Sequence, residues 1–187
     1  CWVCLGFLYS LSVADAWVKS GMYKCVLVIG GEVHSTGIDM TPEGRDISVL
    51  FGDGGGAVIV EPSGKSEGIL ITKLYAEGQY ADKLWLQRPA SADFPRLNKG
   101  PMNIDETYFP QMDGKFVFKH AVTRMCEVLI EACKEIGVSP KDIDFVLAHQ
   151  ANLRINMMVM QQLEIPENKT LNTCLLYTSP SPRDRQK

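Results

Sequence analysis

Cys4 is the first residue with a type and position suited to chemistry, because it stands at the start of an apolar, helix-like segment. A thiol at the beginning of a helix experiences the positive end of the helix dipole and nearby free backbone N–H groups, and both favour the thiolate. Gly6, two positions later, leaves room for a substrate carbonyl to approach. A buried core cysteine would show the same pattern, so the residues alone leave both interpretations open.

His149 is the second candidate, since it ends a predicted buried strand and opens the polar stretch His-Gln-Ala-Asn-Leu-Arg. The carboxyl ends of parallel strands are where open α/β sheets place their ligands. Asn152 and Arg154 add further hydrogen-bonding groups at this point. The pattern favours a site around His149, whereas His34 and His120 are predicted to be structural or solvated.

The six cysteines predict neither a disulfide framework nor a metal centre. Disulfide frameworks are typical of short secreted chains with a small core, and this chain has neither feature. Cys126 and Cys133, on one predicted helix face, and Cys25, at the start of a predicted strand, are interpreted as buried small hydrophobic residues. Cys1 and Cys4 form a C-x-x-C pair without a second pair of ligands, which disfavours metal binding or dithiol redox chemistry.

The elements around Cys4 are predicted as a helix, a turn and a strand. Apolar residues recur at helical spacing over 7–18, and Gly21 stands where a glycine ends many helices. The continuous apolar run 25–29 is typical of a strand covered on both faces in a parallel sheet. Residues 47–60 predict two short strands broken by the glycine-rich segment 51–56. We interpret that segment as a tight turn and not a phosphate cradle, because no lysine follows it.

The elements around His149 repeat this order of helix, turn and strand. The apolar stripe from Lys115 to Ile136 predicts a long helix that ends at Gly137. A second buried strand is predicted at 143–148, and one more helix from Ile155. Between the two ordered parts, the irregular segment 61–113 is expected to be a connector with one strand at 69–74.

Composition excludes several classes of protein. The chain has 187 residues, of which 45% are hydrophobic and 22% charged, and a formal net charge of −3. These values exclude a disordered tail, a collagen-like fibre and a nucleic-acid-binding arm. No apolar run approaches the roughly 20 residues that a membrane helix needs. We therefore expect a soluble, cytoplasmic protein with neither a nucleic-acid nor a membrane partner.

Four motifs, in order and at compatible spacing, resemble those of β-ketoacyl-acyl-carrier-protein synthase III, a condensing enzyme of the thiolase fold. They are Cys4-Leu5-Gly6-Phe7, the strand Val26-Leu27-Val28-Ile29-Gly30 with Glu32, the turn Phe51-Gly52-Asp53-Gly54-Gly55-Gly56-Ala57, and His149-Gln150-Ala151-Asn152-Leu153-Arg154-Ile155. The resemblance covers about residues 4–173. It implies an α/β fold with the thiolase-like layered α-β-α-β-α architecture, incomplete at both ends of this chain.

The resemblance also implies a chemistry and a role for each site residue. Cys4 would be the nucleophile that takes an acyl group from acyl-CoA, and His149 would donate a hydrogen bond to the malonyl thioester oxygen during decarboxylative condensation. Asn152 would contact the pantetheine arm, Arg154 the acidic acyl-carrier protein, and Arg45 the CoA nucleotide, although each arginine could equally be a solvated surface charge. The reaction, which initiates fatty acid synthesis, would need no cofactor or metal. The full-length enzyme would be a homodimer.

The implied domain organisation follows the thiolase halves. Residues 1–62 would be the latter part of the N-terminal half, 63–113 a connector or insertion, and 114–173 the first part of the C-terminal half. Residues 174–187 lose both apolar periodicity and family pattern, and we expect them to be a non-native tail.

Two departures from the family pattern stand out. Trp2 and Val3 precede the cysteine where the family has small residues, and Tyr177 is followed by Thr178-Ser179-Pro180 where the family has an active-site asparagine in a Gly-Asn-Thr/Ser motif. We read the chain as a fragment that is inactive by itself. A secondary-metabolite ketosynthase, an enzyme like hydroxymethylglutaryl-CoA synthase and a non-catalytic acyl-CoA-binding relative remain as alternatives.

Overall fold

The computed structural model describes residues 2–64, 67–88 and 105–172, with side chains from Gly6 onward. The expected tail 174–187 and the segment 89–104 lie outside the described residues. The helices and strands, in chain order, are α1 (Trp2–Lys19), β1 (Val26–Glu32), α2 (Arg45–Ser48), β2 (Gly54–Val60), β3 (Leu84–Trp85), β4 (Gln111–Met112), α3 (Gly114–Ile136) and α4 (Leu153–Gln162).

The N-terminal unit is a two-stranded sheet with α1 packed on one face. β1 and β2 pair antiparallel, with Val26 opposite Val60 and Glu32 opposite Gly54, so the prediction of a parallel sheet is wrong for this pair. Ala14 of α1 is 1% exposed and Val28 of β1 is 4% exposed, which places the contact between helix and sheet at these residues.

The opposite face of this sheet is open. Leu27, Ile29 and Ile59 are 59%, 68% and 66% exposed, because no element among the described residues covers them. The expectation that β1 is buried on both faces is therefore wrong for the described chain. A continuous apolar run is typical of a strand packed on both faces, but it does not show which element packs against each face.

Both long helices end as the sequence predicts. At the end of α1 the N–H of Met22 donates to the Trp17 carbonyl, and Gly21 has a φ of 75°. At the end of α3 the N–H of Val138 donates to the Cys133 carbonyl, and Gly137 has a φ of 76°. These are Schellman motifs, in which the left-handed residue is a glycine because it lacks the Cβ that would clash.

Residues 45–48 form the short helix α2 and not the strand that was predicted for this region. The Gly44 carbonyl accepts from the N–H groups of Ile47 and Ser48. A Cβ at Gly44 would collide with the backbone oxygen of Asp39, so glycine allows the chain to fold tightly here. The second predicted strand is confirmed as β2, although it begins earlier, at Gly54.

The C-terminal unit is built on α3 and α4. Asp113 caps α3 by accepting from the N–H of Phe116, which satisfies one of the free donors of the first turn. The two helices pack through a core of six buried residues, which are Val122, Cys126, Val159, Met160, Leu163 and Ile165. The predicted helix from Lys115 to Ile136 and the helix around Ile155 are both confirmed.

Truncation of this core should cost much more stability than truncation of the same residue type on the surface. Met160 is 2% exposed and Met158, on the same helix, is 38% exposed. We expect Met160→Ala to lower the free energy of unfolding by about 2–5 kcal/mol, because it removes buried atoms and leaves a cavity. Met158→Ala should change it by less than about 0.5–1 kcal/mol. Urea unfolding of both variants measures the difference, and equal losses would contradict this core assignment.

The predicted buried strand at 143–148 is reduced to one parallel bridge between Val146 and Thr170. Phe145 is 49% exposed and Leu147 73% exposed. A strand exists only where a neighbour accepts its backbone hydrogen bonds, and in the described part of the chain the segment 169–171 is the neighbour that lies alongside. The prediction of a buried strand is therefore wrong in extent and in burial.

The connector contains no strand at 69–74, contrary to prediction. Residues 69–77, which we call the strap, run between α1 and α3 without forming a helix or a strand. The strap leads into a short 3-10 helix, Gly78–Lys83, and then into β3, which pairs antiparallel with β4 just before α3.

Cysteine burial follows the prediction at two of three positions. Cys126 and Cys133 are 7% and 5% exposed, and burial raises the pKa of both thiols. Cys25 precedes β1 and is exposed, so the expectation of burial is wrong there. Within the described residues no helix is both long and apolar enough to cross a bilayer. The same residues contain no group of three or more metal-ligating side chains that could hold an ion.

Candidate active site

Cys4 lies in the first turn of α1, which begins at Trp2 and continues for 18 residues. The first-turn N–H groups of an α-helix have no partner within the helix, and the aligned peptide dipoles make this end positive. Gly6 is exposed, and a Cβ added to it would meet no atom within 4 Å. Among the described residues, no side chain therefore crowds the position of Gly6.

His149 lies in the segment that joins the Val146 bridge to α4. The residue is exposed, yet partial desolvation of its imidazole is the main cause that lowers its pKa below the ordinary value of 6.5. The imidazole is consequently neutral at neutral pH. A neutral imidazole carries one N–H donor and one acceptor nitrogen, so the ring can donate a hydrogen bond to a bound carbonyl oxygen.

The lowered pKa of His149 makes stability depend on pH in a defined direction. Between the folded pKa and the ordinary value of 6.5 the unfolded chain binds more protons than the folded chain. We therefore expect the free energy of unfolding to fall as the pH drops through about 6.5 towards the folded pKa. At higher pH the imidazole is neutral in both states, and His149 no longer makes stability depend on pH. Urea unfolding at a series of pH values should show this fall in the free energy of unfolding in the wild type and not in His149→Asn. The same pH dependence in both proteins would contradict the prediction.

Gln150 fixes the backbone next to His149, a role that the sequence did not single out. Its Nε2 donates to the carbonyl oxygens of Ala148 and Leu171, each at 2.9 Å. These bonds tie the histidine segment to the chain beyond α4. The sequence shows an amide side chain directly after His149. It does not indicate the partner, because the Leu171 carbonyl lies 21 positions away and belongs to no recognisable motif.

Asn152 is the N-cap of α4, since its Oδ1 accepts from the N–H of Arg154 at 2.9 Å. The cap satisfies one of the helix's free donors and orients the first turn of α4 beside His149. Within the described residues no hydrogen bond occupies its Nδ2, which leaves that donor for a ligand. Arg154 is exposed, and no ion pair of the described residues includes it.

Arg45 stands apart from this cluster. It opens α2 on the N-terminal unit, is exposed, and takes part in no ion pair within the described ranges. The structure thus brings His149, Asn152 and Arg154 together at the start of α4, and places Cys4 and Arg45 on other elements.

The glycine-rich segment 51–56 is not the tight turn that was predicted, because Gly54–Gly56 already belong to β2. The carboxylate of Asp53 accepts from the N–H groups of His34 and Ser35 at 2.7 and 2.8 Å and from the Ser35 hydroxyl at 2.6 Å. The Ser35 hydrogen bonds are the main cause that lowers the pKa of Asp53. Asp53 thus ties this segment to the residues that follow β1. His34 also lies 2.5 Å from Glu32, which supports a structural role.

Comparison with known proteins adds decisive information about these elements. The family model of 3-oxoacyl-[acyl-carrier-protein (ACP)] synthase III matches residues 2–78, which include Cys4. The model of the C-terminal part of the same family matches residues 133–178, which include His149. The chain belongs to the 3-oxoacyl-[acyl-carrier-protein] synthase III family.

Individual relatives agree with this membership. The β-ketoacyl-[acyl-carrier-protein] synthase III of Sphingopyxis alaskensis is 39% identical over 173 residues, covering 91% of this chain and 50% of the relative. The crystal structure of 3-oxoacyl-[acyl-carrier-protein] synthase III from Aquifex aeolicus matches 94% of this chain and 51% of its own, with 37% identity and a TM-score of 0.78. The priming β-ketosynthase of the R1128 polyketide pathway is 30% identical with a TM-score of 0.71, over 91% of this chain and 48% of its own.

These similarities confirm the thiolase-like α/β fold class that the motifs predicted. The chain spans about half the length of the curated relatives it matches. The match of the C-terminal family model extends to residue 178. The comparisons thus show the family and the fold class of the chain, and the activity of the whole protein is the subject of the proposal below.

Proposed function

We propose that the full-length protein containing this chain is an acyltransferase that condenses an acyl-CoA with malonyl-acyl-carrier protein and so initiates fatty acid synthesis. One observation carries the proposal: the two parts of a single condensing-enzyme family match this chain, one over the helix whose first turn contains Cys4 and the other over the segment of His149. A nucleophile at a helix N-terminus and a neutral histidine are the groups that this chemistry uses.

In the first step the Cys4 thiolate attacks the thioester carbonyl of acyl-CoA. The bond from carbon to the CoA sulfur breaks, CoA leaves as a thiolate that takes up a proton, and an acyl-Cys4 thioester remains. The first turn of α1 favours the thiolate through its dipole and unpaired N–H groups, so no separate base is needed to activate Cys4.

In the second step the malonyl thioester loses CO₂, and the electron pair of the broken carbon–carbon bond moves onto the thioester as an enolate. His149 donates a hydrogen bond to the oxygen on which this charge develops. The carbanion attacks the acyl-Cys4 carbonyl, a new carbon–carbon bond forms, and Cys4 leaves as a thiolate. The product is a 3-oxoacyl thioester on the carrier protein, and the sequence of steps requires no metal or redox cofactor.

The remaining residues are assigned to binding. Asn152 would contact the pantetheine arm through its Nδ2, and Arg154, exposed beside it, would meet the acidic surface of the carrier protein. Arg45 would contact the CoA nucleotide. We further propose that the full-length protein is a cytoplasmic homodimer. In this chain, residues 1–62 would belong to its N-terminal thiolase half, 114–173 to its C-terminal half, and 63–113 to the connector between them.

A two-substrate assay tests the proposal. The full-length protein is incubated with acetyl-CoA, and an acyl adduct on Cys4 is located by peptide mass spectrometry. Malonyl-acyl-carrier protein is then added, and we expect loss of the adduct together with release of CO₂ and formation of a 3-oxoacyl-carrier protein. A folded protein that forms no adduct with acetyl-CoA or longer acyl-CoAs would contradict the proposal.

A priming condensing enzyme of polyketide synthesis is the second candidate, and the similarity to the R1128 priming β-ketosynthase favours it. Both candidates share the steps at Cys4 and His149 and differ in the acyl group. Competition between acetyl-CoA and longer or branched acyl-CoAs for Cys4 discriminates them: preference for acetyl-CoA supports fatty acid initiation, and preference for a longer acyl group supports the polyketide role.

A further inference from the structure

The strap, residues 69–77, joins the helix of Cys4 to the helix pair that carries His149. On the α1 side, Lys19 Nζ donates to the Ile69 carbonyl oxygen at 2.8 Å. Ile69, Ile71 and Leu74 of the strap line one apolar pocket together with Leu8 and Leu11 of α1. The strap is therefore tied to the cysteine helix by a hydrogen bond at the helix end, and its apolar side chains border the same pocket as those of α1.

On the α3 side, every second strap residue reaches the helix. Lys73 Nζ pairs with Glu135 and, at 3.1 Å, with Glu131. The Tyr75 hydroxyl donates to Glu131 as well. Lys73 also borders the pocket on the α1 side, so it lies where the strap passes from one helix to the other.

Glu77 contacts two side chains of α3, one with each carboxylate oxygen. His120 Nε2 lies 2.5 Å from its Oε2, and Arg124 Nη2 lies 2.5 Å from its Oε1. The His120 ring stacks on Phe116, with centroids 5.1 Å apart, and meets the edge of Tyr80 at 4.9 Å. The hydrogen bond from His120, followed by that from Arg124, lowers the pKa of Glu77, which keeps the carboxylate charged.

The strap lies antiparallel to α3, since Lys73 pairs with Glu131 and Glu135 near the end of the helix and Glu77 pairs with His120 and Arg124 nearer its start. Its contacts extend over about four turns of the helix. Surface ion pairs contribute little to stability singly, and a line of them chiefly fixes the position of one element on another.

We propose that the strap is a positioning element that sets the placement of α1 relative to the α3–α4 unit, with Glu77 as its principal positioning residue. The inference rests on the proposed function, in which Cys4 and His149 act on one substrate. Acylation uses the Cys4 end alone, whereas condensation requires Cys4 and His149 to meet the same malonyl group. A looser strap should therefore slow condensation and spare acylation.

The test compares Glu77 with Glu127, the other carboxylate that pairs with Arg124, at 2.6 Å, but lies on α3 itself and does not touch the strap. In the full-length protein we expect Glu77→Ala to lower kcat of condensation by about 10- to 100-fold, since small misplacements of reacting groups have effects of this size. Single-turnover acylation of Cys4 by acetyl-CoA should stay near the wild-type rate. Glu127→Gln should leave both rates near wild type.

Glu77→Gln keeps an acceptor for His120 and loses the charge facing Arg124, so it should retain an intermediate condensation rate. It also serves as the test variant if Glu77→Ala does not fold. Unchanged condensation in the folded Glu77 variants would overturn the proposal. So would equal losses of acylation and condensation, because that result indicates general destabilisation.

Amide hydrogen exchange separates failure of this inference from failure of the proposed function. Glu77→Ala should speed exchange in the strap and in the strap-facing turn of α1 around Leu8 and Leu11, and leave α4 as in the wild type. If the wild type forms no acyl-Cys4, the proposed function fails, and the strap is then judged by exchange alone. Exchange in α1 no faster than in Glu127→Gln would overturn the strap proposal.

Discussion

Replacing Cys4 by alanine should abolish the acyl adduct and reduce condensation by on the order of 10⁴-fold or more, as removal of a nucleophile does in other covalent enzymes. The physical reason is that Cys4 stands in the first turn of α1, where the helix dipole favours the thiolate, whereas the three cysteines whose side chains the structure describes all have raised thiol pKa values. Peptide mass spectrometry after incubation with acetyl-CoA, combined with the condensation assay, measures both effects in one protein.

Cys25→Ala is the matched control for Cys4→Ala. Cys25 is the exposed cysteine among the side chains that the structure describes, and a hydrogen bond to Glu61 raises the pKa of its thiol. It should therefore remain a thiol at neutral pH and contribute neither adduct nor activity. An adduct that survives in Cys4→Ala and disappears in Cys25→Ala would reverse the assignment of the nucleophile.

Replacing His149 by alanine should lower the rate of condensation by about 10²–10³-fold, the usual loss when one donor to a developing oxyanion is removed. Acylation of Cys4 should continue close to the wild-type rate, because the dipole and N–H groups of α1 stabilise the thiolate without the imidazole. The acyl-enzyme should consequently accumulate in the presence of both substrates. Rapid-quench measurement of the two steps shows whether they separate in this way.

His34→Gln is a suitable control for the loss of an imidazole as such. The His34 ring lies against Phe51 and beside Glu32 on the N-terminal unit, away from the start of α4. We expect its condensation rate to stay near that of the wild type. Loss of acylation in His149→Ala, with the fold intact, would show that His149 takes part in forming the thiolate.

The sequence determined the features that depend on neighbours along the chain. The helical spacing of apolar residues predicted α3, and the glycines at 21 and 137 predicted the ends of two helices, because both signals lie within a few residues of the element. The N-cap at Asn152 is likewise a local feature, since its side chain accepts from the N–H two residues later. The motifs around Cys4 and His149 identified the family for a related reason, since each is a short local pattern.

The tertiary structure decided what depends on distant partners. The apolar run of β1 did not reveal that its neighbour β2 is antiparallel, nor that one face lies open, because pairing and cover come from outside the run. Cys25 was predicted to be buried, as Cys126 and Cys133 are, but it is exposed. Its burial too depends on elements outside the apolar run.

The strap shows this limit most clearly. Lys73, Tyr75 and Glu77 alternate as ordinary surface residues, and their partners on α3 lie more than 40 positions away. Only the folded chain shows that Tyr75 and Glu77 pair with α3 while Ile69 and Leu74 border a pocket with α1. The sequence by itself determined which groups could perform the chemistry. The relative placement of the two elements that carry them was decided by contacts that no local pattern encodes.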